Sequence, residues 1–143
     1  MHKELKIFSS NPQTKAAIPL VSSPIEAGFP SPADDFIEAS LDLNDLLIAR
    51  PEATFFVRVQ GQSMRDANIH PGDVLIVDRN LTPQNNSIII AIVNGEFTVK
   101  RLRTEKDKTF LVPAHAQYPS IEIQKEWDFA VWGVVTYIIH KAR

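Results

Sequence analysis

The stretch SIIIAIV-NG-EFTVKRL, residues 87–102, leaves the backbone little choice. Two runs rich in β-branched residues flank Asn94-Gly95, the dipeptide that best makes a two-residue hairpin turn because both positions tolerate positive φ. Such a turn fixes register. It sets Val93 opposite Glu96 and, counting outward, Ile89 opposite Lys100. Residues 88–93 carry no polar side chain, so burial on both faces is expected of that strand. Lys100 then lies on a strand whose partner is wholly aliphatic, an unusual place for an ammonium group.

The same logic organises the rest of the chain. From Phe55 onward, short runs FFVRV, DVLIVD, SIIIAIV, EFTVKRL, TFLVPA and AVWGVVTYII are separated by turn signals at Pro71-Gly72-Asp73, Pro83 to Asn86, Asn94-Gly95 and Glu105 to Lys108. Short strands with little helix predict a mainly-β domain built of hairpins. One short helix is expected in LDLNDLLIARPEAT, capped by Asp42, with Leu43, Leu46 and Leu47 on one side and Pro51 at its end. Residues 1–40 hold half of the prolines, most of the serines and no sustained period. They read as an extended N-terminal arm ahead of a β-rich domain over residues 41–143. Within the arm, SPIEAGFPSPADDF places Ala27-Gly28, with almost no side chain to shield the peptide bond, among prolines that favour extended backbone.

Composition narrows the function classes. At 143 residues, 44% hydrophobic and 22% charged, the chain suits one globular domain plus the arm. A net charge of −2 gives no positive field that calls for nucleic acid, and no direct sequence-specific DNA binding is expected. Lys100, Arg101, Arg103, Lys106 and Lys108 are interrupted by Glu105 and Asp107 and read as a solvated hairpin tip. The absence of cysteine excludes disulfides and Cys-ligated metals, and the four histidines are scattered, so no metal or other cofactor is expected. The N-terminus lacks the apolar core of a secretory signal, and the run Phe129 to Ile139 is too short to span a bilayer. The expectation is a cytoplasmic protein with no membrane attachment.

Two readings of Lys100 compete. Its stem can lie along the sheet while the charged head reaches water. Alternatively, desolvation disfavours the ammonium form, lowers the pKa towards neutrality and makes the amine a competent general base. A base needs a nucleophile, and without cysteine that must be serine or threonine. Ser63, in VRVQGQSMRDANIHPGD, follows a strand, comes two residues after Gly61 and opens a segment able to make a helical turn. That placement exposes a hydroxyl and aims main-chain N–H groups at a bound oxyanion. Alone, this motif is weak.

Together, GQSM, PGDVLIVD and NGEFTVKRL resemble the LexA/UmuD family of self-cleaving serine–lysine peptidases. AGFPSPADDF and LDLNDLLI place the resemblance on the UmuD side, the accessory subunits of SOS-induced error-prone DNA polymerases. It runs from about Ile18 to the C-terminus. The resemblance implies a mostly-β fold shared with bacterial leader (signal) peptidases, Ser63 as nucleophile and Lys100 as general base. It implies self-cleavage at Ala27-Gly28, where this chain has the alanine variant of the family's Cys-Gly or Ala-Gly bond. It also implies a homodimer, stimulation by a RecA–DNA filament as co-protease, and a UmuC-type error-prone DNA polymerase as partner of the processed form. Joined to the residue-level reading, the oxyanion would be held by the main-chain N–H of Ser63 together with that of Gln62, and Ile25 and Phe29 would flank the cut in shallow apolar pockets. Whether the cut occurs within a subunit or between subunits stays open.

Rivals are a LexA-like repressor peptidase, which needs a helix-turn-helix domain that this proline-rich arm is too short to build, and a membrane-anchored leader peptidase. A third is a non-catalytic β-rich interaction module. Among other polar groups, Asp34, Asp35 and Glu38 read as a solvated acidic patch, and Asp73 and Asp78 as turn residues. Trp127 and Trp132 read as core or interface residues.

Overall fold

The computed structural model describes residues 5–9, 17–21 and 37–142. The chain divides into two compact units, Asn11–Ala49 and the combination of Met1–Ser10 with Arg50–Arg143. In chain order the strands and helix are β1 (Leu5–Ser9), β2 (Ala17–Val21), β3 (Ile37–Asp42), α1 (Leu43–Leu47), β4 (Thr54–Val59), β5 (Val74–Asp78), β6 (Ile88–Val93), β7 (Glu96–Glu105), β8 (Lys108–Val112), β9 (Ile121–Glu122) and β10 (Phe129–Ile139).

In the smaller unit, β2 and β3 pair antiparallel, with Ala17 opposite Asp42. Asp42 caps α1, its Oδ1 accepting from Asn44 N–H at 2.9 Å. The leucines expected on one side of that helix do not make a core: Leu43 and Leu46 are exposed. Five residues give little more than one turn, too short to present a wide apolar stripe. Pro51 does not end the helix but opens a separate 3₁₀ turn, Pro51–Ala53, where its missing N–H costs nothing.

The larger unit is one antiparallel sheet in the order β1-β4-β5-β10-β6-β7-β8-β9. Its centre is the hairpin read from Asn94-Gly95. Both residues take positive φ, 49° and 84°, and the register is the expected one, Val93 opposite Glu96 and Ile89 opposite Lys100. Alternate residues of β6 feed two apolar clusters. Ile90 joins Leu5, Val57, Val59, Met64, Ile69, Leu75, Val77 and Val99, while Ile89 and Ala91 join Leu102, Leu111 and Val134. The middle of β6 is therefore buried on both faces, and its ends, Ile88, Ile92 and Val93, are half-buried. Each fully buried isoleucine contributes about 1.5–3 kcal/mol of transfer free energy.

The mainly-β architecture agrees with the sequence, but strands also form inside the segment read as an arm. β1 zips onto β4 from Leu5 opposite Val59 to Ser9 opposite Phe55, and Leu5 is buried. Two of the scattered histidines also meet. His140 Nδ1 lies 2.7 Å from Asp73 Oδ1, Asp73 Oδ2 accepts from His70 N–H, and the two imidazole rings are 5.3 Å apart. Asp73 thus serves a turn and ties down the end of β10. Asp78 likewise accepts from Asn80 N–H and pairs with Arg50 at 2.8 Å. Trp132 is half-buried against the first cluster, with the Arg79 guanidinium 4.5 Å above its ring, and Trp127 is half-buried.

Beside Trp132, β10 is irregular between Val131 and Gly133. A Cβ at Gly133 would lie 2.5 Å from Val77 Cγ1, and Val77 is fully buried. Gly133→Ala should therefore lower stability by about 1–3 kcal/mol, the scale of core overpacking, read as a reduced urea midpoint at unchanged slope. An unchanged midpoint would show that β5 and β10 can separate at no cost.

Candidate active site

The segment after β4 is built to hold one serine still. Residues 60–62 leave the strand without regular structure, and residues 65–67 make a 3₁₀ turn. Met64 and Ile69, at most 1% exposed, anchor its two ends in the first cluster. Asn68 closes it in the left-handed conformation, φ 66°, which asparagine tolerates better than most residues. Arg65 N–H donates to the Gln62 carbonyl, and Ala67 and Ile69 N–H to the Met64 carbonyl. A second tie comes from the chain after β8. Ala114 N–H donates to the Ser63 carbonyl at 2.8 Å, and Asp66 N–H donates to the Ala114 carbonyl at 2.7 Å. Ser63 ends up 2% exposed.

Lys100 reaches the same point from β7. Its backbone is opposite Ile89, which is fully buried, and Lys100 itself is 6% exposed. The Nζ donates to Ser63 Oγ at 2.8 Å and to Thr98 Oγ1 at 2.7 Å. Of the two readings of Lys100, the head carried out to water is not what the structure has. The amine sits inside, on hydroxyl oxygens. At 2.8 Å a neutral amine can take the hydroxyl proton directly, and burial disfavours the competing ammonium form.

Ser63 and Lys100 are thus brought together by two separate segments. Gln62 immediately precedes the serine, and its carbonyl is committed to the turn. Ala27, Gly28, Ile25 and Phe29 lie outside the described residues, as do Asp34 and Asp35. Two contributors escaped the sequence reading. Thr98 was legible in principle, because a residue two before Lys100 on one strand shares its face. Ala114 was not, since it acts through main-chain groups that any residue except proline would supply. Among the described residues no group of three or more His, Asp or Glu is placed to hold a metal ion. None of their helices is long and apolar enough to cross a membrane.

Comparison with known proteins bears on the same residues. Residues 19–136 match the family model described as Peptidase S24-like, a span that takes in both Ser63 and Lys100. The chain is 44% identical over 129 residues to Protein SamA of Salmonella typhimurium, covering 90% of this chain and 89% of that one. It is 45% identical over 125 residues to Protein ImpA of Escherichia coli, covering 87% and 85%. To Protein MucA of Escherichia coli it is 40% identical over 136 residues, covering 94% and 92%. The chain belongs to the Peptidase S24-like family, as a UmuD-like member.

Proposed function

We propose that this peptidase acts on itself, cutting between Ala27 and Gly28 with Ser63 as nucleophile and Lys100 as general base. Residues 1–40 are the substrate arm and residues 41–143 the peptidase domain. The observation that carries the reading is the 2.8 Å separation of two buried groups, Lys100 Nζ and Ser63 Oγ. Neutral Lys100 takes the Ser63 proton as Oγ bonds to the Ala27 carbonyl carbon. The oxyanion is met by the main-chain N–H of Ser63 and of Gln62. The Ala27–Gly28 bond breaks as the Lys100 ammonium gives its proton to the Gly28 nitrogen. Lys100 then takes a proton from water, whose oxygen attacks the ester. The Ala27 carboxylate leaves and the Ser63 hydroxyl is restored.

A tethered substrate replaces affinity with effective concentration, so a fast site would destroy its precursor at once. A slow site that a RecA–DNA filament stimulates, by favouring the bound arm and the deprotonated amine, fits that constraint. The processed homodimer then serves a UmuC-type error-prone DNA polymerase in the SOS response, in the cytoplasm. UmuD-like relatives that match over nearly their whole length support this role.

Incubating purified protein at alkaline pH and weighing the products tests the proposal. A fragment beginning at Gly28 is expected from the parent chain. Ser63→Ala and Lys100→Ala should each slow cleavage about 10³-fold or more, the scale for loss of a nucleophile or its base. A chain that stays intact with and without RecA filament would favour a non-catalytic interaction module.

The pH profile has a definite sign. The working form is the neutral amine, whose fraction falls tenfold for each pH unit below its pKa, so activator-free cleavage should rise with pH and then level. Lys100→Arg, which keeps its proton throughout, should be inactive across the range. A flat profile for the parent chain would rule out the amine as base.

Thr98→Val keeps the shape and removes one acceptor from the amine. About fivefold slower cleavage is expected, from the loss of roughly 1 kcal/mol in one hydrogen bond. Cleavage at the parent rate would show that Thr98 does not orient the lysine.

A further inference from the structure

The residue after Ala114 carries a buried ring that the chemistry above does not use. His115 is 9% exposed. Its Nδ1 accepts from Gln117 N–H at 3.0 Å, and its carbonyl accepts from Tyr118 N–H at 3.1 Å. The Tyr118 ring meets the imidazole edge-on, centroids 4.9 Å apart and planes at 81°. One residue thus closes the turn over residues 115–118 twice, through its side chain and through its main chain. A side-chain acceptor that takes the N–H two residues on is what asparagine or aspartate does in an Asx turn. Here an imidazole nitrogen fills that place.

We propose that His115 is a positioning residue for Ser63. The turn it closes fixes the chain at Ala114, and Ala114 holds the Ser63 carbonyl and the Asp66 N–H. Ala114 comes two residues after Val112, which pairs with Arg101, the neighbour of Lys100 on β7. The nucleophile is thereby measured off β8, the strand paired with the one that carries the lysine. Histidine's part is to supply an acceptor where the turn needs one. The consequence for cleavage rests on Ser63 being the nucleophile; the mechanical link from ring to strap does not.

Amide hydrogen exchange on the full chain carrying Ser63→Ala, which cannot cut itself, reads that link directly. His115→Phe keeps an aromatic ring and deletes the acceptor. His115→Asn keeps an acceptor at the same two-residue reach. Exchange at Ala114 N–H should be about tenfold faster in His115→Phe, the effect of one lost hydrogen bond on a local opening. It should stay within about threefold of the parent in His115→Asn, with Val77 and Val99 N–H protected throughout. Gln117→Pro deletes the donor and leaves the ring in place. It should match His115→Phe, and it keeps the test readable if that variant does not fold. On the Ser63 background, cleavage should slow about tenfold in His115→Phe and return close to parent in His115→Asn.

Unchanged Ala114 protection in either His115→Phe or Gln117→Pro overturns the proposal. Equal loss in His115→Asn overturns it as well, because the acceptor would then not be what matters. A parent chain that never cuts itself would sink the self-cleavage reading alone, and the exchange rates would still decide the role of His115.

Discussion

A lysine amine held against a serine hydroxyl inside an aliphatic sheet is the contact on which this structure turns. Removing an ammonium group from water is costly unless it is fully paired, and most lysines avoid that cost by reaching the surface. Lys100 does not. The strand opposite offers Ile89 and Ala91, both fully buried, and its nitrogen donates to the hydroxyl oxygens of Ser63 and Thr98. Burial of this kind disfavours the ammonium form relative to the neutral amine. The stability given up at this point is regained nearby, where the same hairpin feeds two apolar clusters.

The contact is precise because both partners are referred to one frame. Lys100 is fixed by the Asn94-Gly95 turn, which sets the register of β6 against β7. Ser63 belongs to a loop, and loops ordinarily carry more freedom than the sheet that supports them. Here Met64 and Ile69 sink that loop into the core, and the Ala114 strap ties it to the chain leaving β8. β8 is the neighbour of β7 in the sheet. A displacement of the hairpin would carry both side chains with it, which is how a site keeps its geometry on a scaffold that breathes.

What could be read from the sequence follows the range over which the chemistry acts. Asn94-Gly95 dictates its own backbone, so the turn, the register and the pairing of Lys100 with Ile89 were all legible from sixteen consecutive residues. The placement of Ser63 in a tight turn after a strand was legible too, through Gly61 and the polar run that follows. The pairing of β1 with β4 was not, because LKIFS is short and its partner lies far along the chain. The meeting of His70 with His140 on Asp73 was hidden for the same reason. The leucines of α1 failed in the opposite direction: their spacing is helical, but one turn of helix cannot turn spacing into burial. The part played by Ala114 was not legible at all, since a main-chain donor and acceptor leave no trace in residue identity.

The preformed contact also constrains how such a molecule could be controlled. Ser63 Oγ and Lys100 Nζ are at hydrogen-bonding distance, so an activator has little geometry left to correct between them. Two quantities remain adjustable on the self-cleavage reading: the fraction of amine that is neutral, and the fraction of time a scissile bond spends at the hydroxyl. Both respond to the same event. A peptide segment entering the site displaces water, and drier surroundings disfavour the ammonium form further. Delivery of substrate and activation of the base are then coupled through solvent, so a partner that only favours the docked arm raises both terms. Its effect on rate would exceed the change in docking alone, without donating a single catalytic group.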